Sequence, residues 1–419
     1  MTSAQTSIEH SFRHDYGRLV SILTKRFGVQ QIDAIEDAVQ GAMERALSTW
    51  GRQGIPAQSA AWLLRVAQNI LIDRLRREQR ERNRAAHLAT QIESETHGDA
   101  RLHDLPRELD DAALRLLFLC CHPELPLEVR VAFALKVVSG FSTRELAASF
   151  LITPASVEKR IARAKDKLRS AGVELSDLDP TSLESRLEAV QSTLYLLFNE
   201  GYCSSQGDRD LRADLCDEAI RLMRLLANSA ETALPSTHAL LALMLMHRAR
   251  MHARQNEDGS IVTLENQDRS RWDWQQVREA MEWMQRSATG DALSRYHLES
   301  AIAWEHTRAA SLDAVDWISI AGLYRHLEDL APTPMVRLNA AIAIAYAHGP
   351  ERGLAELTAI EATDRARIRP WWDCAMAQTY QRLGNTVAAL AHWIDAKALA
   401  GNTAQRDLID RRIEACRET

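Results

Sequence analysis

Apolar residues recur at intervals of three and four along almost the whole chain, and the alternation expected of a half-buried strand is nearly absent. The pattern therefore predicts an all-α protein. In a first block, residues 1–84, Tyr16, Leu19, Val20 and Leu23 share one helical face. Ile35, Ala38, Val39, Met43, Ala46 and Leu47 share a second. Trp50 is expected to close that second helix, because Gly51, Gly54 and Pro56 then break the period. A third helix restarts near Ser59, with Trp62, Val66 and Ile70 turned inward. Residues 85–109 lose the period and carry Glu93, Glu95, Asp99 and Asp104, so they read as an acidic linker.

The next block, residues 110–175, is jointed at Cys121, His122, Pro123, Glu124, Leu125 and Pro126 and ends in a pair of helices. In the run from Phe141 to Phe150, Ser142 or Thr143 can cap a helix, with Glu145 near the capping-box position. After a turn at Leu151, Ile152 and Thr153, Pro154 stands where a first helical residue tolerates proline. Val157, Ile161, Ala164 and Leu168 then form one apolar stripe. Opposite lie Lys159, Arg160, Arg163, Lys165, Lys167 and Arg169, a face suited to the major groove of DNA, with Ser156 and Lys159 near the end that meets bases. Leu151 holds the turn position often taken by glycine, where a left-handed backbone would cost roughly 1–2 kcal/mol, so this turn is expected to be built differently.

Charge supports this division. The net charge of −6 conceals 25 Lys and Arg against 21 Asp and Glu in residues 1–172, but 26 against 36 in residues 173–419. Only the first part is suited to DNA. Within it a second basic cluster, Arg65, Arg74, Arg76, Arg77, Arg80, Arg82 and Arg84, is opposed only by Asp73, Glu78 and Glu81. Asn69, Asp73, Arg76, Arg77 and Arg80 fall on one edge of a helix. A solvated charged face is the plainer alternative for either cluster alone. Two such elements joined by a linker could grip two sites on one duplex.

The ordered blocks Ile35 to Gln40, Glu44 to Leu47, Trp62 to Asn69 and Ile72 to Arg77 resemble region 2 of the extracytoplasmic-function sigma factors, and Phe141 to Arg169 resembles their region 4. The resemblance implies a sigma factor that binds core RNA polymerase and directs it to promoters. It implies that Asp37, Gln40 and Glu44 dock on the clamp helices of the polymerase β′ subunit, with the β flap as a further contact. It implies that Asn69, Arg74, Arg76, Arg77 and Arg80, with the loop from Trp50 to Ser59, hold the opened minus-10 element. Ser156, Glu158, Lys159, Arg160 and Arg163 would read or clamp the minus-35 duplex. Glu158 stands where the wider family commonly has a basic residue, which sets its base preference apart. The acidic linker would follow the RNA exit path.

Ordinary members of that family stop soon after region 4, whereas here residues 183–419 continue as alternating helices and short loops. Ala377, Tyr380, Gly384, Ala389, Trp393 and Ala396 stand at the spacing of a tetratricopeptide repeat, and Tyr346, Ala343 and Gly349 roughly echo them. The segments Tyr195 to Tyr202, Leu264 to Asp273 and Phe118 to Pro123 resemble the sigma factors with a C-terminal tetratricopeptide-like domain. That resemblance implies an extension that modulates activity, through a regulatory protein or peptide on its concave face or through intramolecular contact with the basic modules.

Six cysteines without a CxxC pair suggest reduced thiols rather than a zinc ribbon or disulfide framework. No apolar run suggests a membrane span, so a cytoplasmic protein is expected. His297, Glu299, His306 and Asp313, and Cys120, Cys121 and His122, lack the spacing of a known metal site and read as packed or solvated helical residues. No catalysis, metal or cofactor is expected. The competing readings are a helix-turn-helix regulator with a repeat sensor that acts without being a polymerase subunit, and a repeat-based enzyme or scaffold.

Overall fold

The computed structural model describes residues 3–56, 58–85, 105–122, 124–150, 152–170, 180–202, 212–256, 260–401 and 403–418. Among the described residues it contains helices and no strand beyond a single bridge between Gln255 and Ile261. The all-α class expected from the hydrophobic period is therefore what the chain adopts. It divides into two compact units, residues 1–193 and 194–419.

The first unit contains α1 (Ser3–Phe27), α2 (Ile32–Gln53), α3 (Ser59–Ala85), α4 (Leu105–Cys120), α5 (Leu127–Val137), α6 (Thr143–Phe150) and α7 (Pro154–Ser170). The unit boundary falls within α8 (Pro180–Tyr202). Its core is built from the stripe Leu19, Val20, Ile22 and Leu23 of α1, joined by Ile35, Ala38 and Val39 of α2 and by Leu116 to Cys121 at the end of α4, all buried. Each fully buried large side chain contributes roughly 1.5–3 kcal/mol relative to exposure. Close packing at Gly17 is obligatory, because a Cβ there would overlap the backbone carbonyl of Val138.

Three sequence expectations are corrected here. Helix α2 does not close at Trp50 but runs to Gln53. An internal glycine costs only about 1 kcal/mol, and the stop comes at Gly54, whose φ is 81° and whose N–H returns to the Trp50 carbonyl. In α3 the deepest positions are Leu63, Ala67 and Leu71, while Trp62, Val66 and Ile70 are half-buried at the rim. Both α1 and α2 pack on α3, and the Trp62 ring is held at the rim against Trp50, centroids 5.4 Å apart. Helix α4 already begins at Leu105, inside the expected linker, since Pro106 in a first turn does not interrupt a helix. Residues 86–104, the rest of that linker, lie outside the described residues.

The second unit continues with α9 (Ala213–Asn228), α10 (Pro235–Ala249), α11 (Trp274–Ser287), α12 (Arg295–Arg308), α13 (Trp317–Leu330) and α14 (Pro334–His348). It ends with α15 (Pro350–Ala359), α16 (Ala362–Ile368), α17 (Trp371–Arg382), α18 (Thr386–Ala398) and α19 (Thr403–Glu418). Helix α10 is apolar all round, as a helix enclosed by neighbours must be: every residue from Ala239 to Met246 is buried, and α9, α11 and α12 pack on it. Helices α17 and α18 pair around Ala377, Ala389, Trp393 and Ala396, with the turn made at Gly384, whose φ is 73°.

Candidate nucleic-acid interface

The helix pair α6–α7 is set by local chemistry. Ser142 supplies the cap: its Oγ accepts the Glu145 amide at 3.2 Å, and the Glu145 carboxylate accepts the Ser142 amide at 2.7 Å, a complete capping box. Pro154 opens α7, and the Thr153 hydroxyl accepts the Ser156 amide at 3.2 Å. Leu151 itself lies outside the described residues, but the end of α6 is closed by the Ile152 amide on the Ala147 carbonyl at 3.1 Å. Val157, Ile161, Ala164 and Leu168 are buried against the rest of the unit.

That packing leaves a compact outer patch. Glu158, Lys159 and Arg163 are exposed, while Ser156 and Arg160 are half-buried beside them. The Ser156 hydroxyl is 2.9 Å from that of Thr153, so it also serves the cap.

Lys165 and Arg169 turn toward α2 instead of this face, which corrects the basic stripe inferred from the sequence, while Lys167 stays exposed. Lys165 is buried, with its ammonium 2.5 Å from Glu36 and 2.6 Å from Asp33, both on α2. Arg169 also bridges to Asp33, and Lys167 pairs with Glu124 at 3.4 Å. The physical reason is the helical period: Lys165 lies one turn from both Ile161 and Leu168, so it shares their buried row. The sequence held that signal, but the type of residue masked it.

Electrostatics at the clasp is balanced. Burial works against the Lys165 ammonium, yet Glu36 and Asp33 hold its pKa above the ordinary value. Burial likewise works against the Asp33 carboxylate, but hydrogen bonds from Lys165 and Arg169 hold its pKa below the usual range. Glu36 also accepts the Tyr16 hydroxyl at 3.2 Å, and burial together with that carboxylate raises the Tyr16 pKa. The region around α2 and the helix pair are thus joined through residues far apart in sequence.

On α2, Asp37, Gln40 and Glu44 are exposed and follow one face. On α3, Asn69, Asp73, Arg76, Arg77 and Arg80 are exposed along the expected edge. Arg74 is different. It pairs with Asp37 at 2.5 Å and with Glu78 at 3.0 Å, so a residue expected at the minus-10 element is engaged with one expected at the polymerase.

Other candidates weighed from the sequence are held separately. His297 accepts the Ser294 amide in a capping box at 3.0 Å, and Glu299 is bound by Tyr195 and Arg295. Cys120 and Cys121 are buried free thiols; burial raises the first well above its usual pKa and pushes the second up to about 12. One convergent group, Asp373, His392 and Asp395, could geometrically hold a metal ion, but Arg369 already pairs with both carboxylates, at 2.5 and 3.5 Å. Among the described residues, no helix is long and apolar enough to cross a membrane.

Comparison with known proteins adds to this geometry. Residues 12–81 match sigma-70 region 2, residues 115–168 match sigma-70 region 4, and residues 186–288 match a family of unknown function (DUF6596). An uncharacterized protein of Rhizobium meliloti (strain 1021) is 37% identical over 390 residues, covering 92% of this chain and 90% of that protein. No solved structure matches the chain at a significant level.

Proposed function

Because the chain belongs to the sigma-70 family of RNA polymerase sigma factors, we propose that it is a promoter-specificity subunit of the extracytoplasmic-function type, acting in the cytoplasm on core polymerase. The observation that carries this reading is the pair of exposed polar faces on modules matching regions 2 and 4. In this reading the two faces recognise DNA without transforming it.

In this reading Asp37, Gln40 and Glu44 meet the β′ clamp helices, and the helix pair meets the β flap. Asn69, Arg76, Arg77 and Arg80 hold the minus-10 element, where exposed bases and backbone favour cationic and amide side chains. Arg74 joins them once it leaves Asp37. Lys159, Arg160 and Arg163 clamp or read the minus-35 duplex, with Ser156 and Glu158 at the entering end of α7.

The Lys165 bridge ties α7 to α2. A protein that grips two promoter elements has to separate the modules that carry them, so the free protein is closed and mounting on polymerase opens it. The second unit modulates that step as a tetratricopeptide-like domain.

The test is run-off transcription with core polymerase and the purified chain, on promoters found by mapping transcript starts after overexpression. Specific transcripts that require the added protein support the reading. Starts unchanged by its presence contradict it.

A further inference from the structure

In the second unit α10, α12, α13 and α14 contribute to a cavity of about 340 Å³, within the size range of small-molecule sites. Its walls are divided. Leu243, Ile302 and Val336 supply apolar surface, and His247, Arg250 and His306 supply polar groups. The cavity's one lining carboxylate among the described residues, Glu299, is already occupied: it accepts Tyr195 at 2.6 Å and Arg295 at 2.7 Å.

Arg250 differs from Arg295 in this respect. Arg250 lies 3.1 Å from His247 Nδ1 and its guanidinium carbon is 5.6 Å from the Tyr202 ring centre; no carboxylate pairs with it among the described residues. Behind His306, Arg269 donates to the His306 carbonyl at 3.0 Å and stacks on Trp272, with its guanidinium carbon 4.5 Å from the ring centre. Burial lowers the pKa of Arg250 and the neighbouring Arg254 lowers it further, while the Tyr202 hydroxyl works the other way. Burial, Arg250 and Arg269 together push His306 down to about 4.

One group in the cavity wall is left unsatisfied: His306 Nδ1 is buried without a hydrogen-bond partner among the described residues, as are Arg269 Nη2 and Trp272 Nε1 outside the lining. Folded proteins satisfy the large majority of buried polar groups, so His306 Nδ1 in the cavity wall calls for a partner of matching chemistry.

We propose that this cavity binds a small organic anion, with a carboxylate or phosphate head among Arg250, His247 and His306 and an apolar body along Leu243, Ile302 and Val336. A negative head compensates a charge that no carboxylate among the described residues pairs, and the planar guanidinium fork fits carboxylate and phosphate oxygens alike. A neutral or cationic head would leave the half-buried guanidinium uncompensated. The apolar walls select against a bare inorganic ion.

The inference stands independently of the promoter reading, because its test needs no polymerase. Isothermal titration calorimetry on the full chain at low salt uses hexanoate, phenyl phosphate, inorganic phosphate and the neutral hexan-1-ol. Saturable one-to-one binding of hexanoate or phenyl phosphate, about tenfold or more tighter than hexan-1-ol and than inorganic phosphate, supports the proposal. Whichever of the two anions binds tighter identifies the head. Arg250→Gln should weaken that binding about tenfold or more with circular dichroism unchanged. Met335→Trp, at the partly exposed wall, keeps the test valid if Arg250→Gln unfolds, and should block the same binding. No saturable binding of either organic anion, equal binding of the alcohol, or unchanged affinity in both variants overturns it.

Discussion

Lys165 in the first unit and Arg250 in the second are both cations drawn away from solvent, and their surroundings differ in one respect. Lys165 has Glu36 at 2.5 Å and Asp33 at 2.6 Å. Arg250 has a histidine and an aromatic ring beside it and no paired carboxylate among the described residues. Withdrawing a charge from water costs several kcal/mol even after relaxation, and is tolerated where an opposite charge and further hydrogen bonds compensate it. The first cation is compensated by another part of its own unit, so it acts as a clasp. The second lacks that compensation among the described residues, so it acts as a receptor.

The comparison can be broken at the clasp with the largest effect. Lys165→Met leaves the Glu36 carboxylate buried beside an apolar chain, and the first unit should lose roughly 3–5 kcal/mol in urea unfolding. Adding Glu36→Gln should recover much of that loss, because the stranded charge is gone. Equal losses in the single and double variants would show that packing rather than pairing holds the contact.

At the receptor the comparable lever is pH. The folded pKa of His306, about 4, lies below its ordinary value because of burial and of Arg250 and Arg269. The unfolded chain therefore binds the proton more readily between about pH 6.5 and about pH 4. The stability tied to neutral His306 is present in full above about pH 6.5 and is lost as pH falls to about 4, a change of roughly 3 kcal/mol. Urea unfolding of wild type and His306→Asn across this window checks it; the variant should show the shallower dependence.

Exposed cations sharpen the contrast. Arg163→Ala should weaken binding of the assembled holoenzyme to its promoter by roughly 1–3 kcal/mol if the side chain reads a base, with discrimination lost at one position. Uniform weakening over all sequences would assign Arg163 to phosphate instead. The smallest effect belongs to Arg224, which pairs with Glu279 at 2.9 Å at a partly exposed site. Arg224→Ala should change stability by no more than about 1 kcal/mol, the range of surface ion pairs.

What could be read from the sequence was local. The Ser142–Glu145 box, Pro154 at the head of α7 and the exposed edge from Asn69 to Arg80 depend on neighbours within a few residues, and spacing alone reveals them. Lys165 was misplaced because its partners lie 129 and 132 residues away. Its position one turn from Ile161 and Leu168 was the available clue. Helical spacing turns Trp62 inward with Val66 and Ile70, whereas the contacts of α3 with two helices bury Leu63 instead. The receptor was less legible still. Arg250, Arg269 and His306 come from three segments, and that no carboxylate pairs with Arg250 among the described residues is a property of the folded arrangement.

The most direct measurement is the affinity of fluorescently labelled promoter DNA for the purified chain, by anisotropy, with and without core RNA polymerase. The account predicts tight, sequence-selective binding only when polymerase is present, since the free clasp keeps the two DNA-facing modules together. Equally tight and selective binding by the chain alone would contradict it.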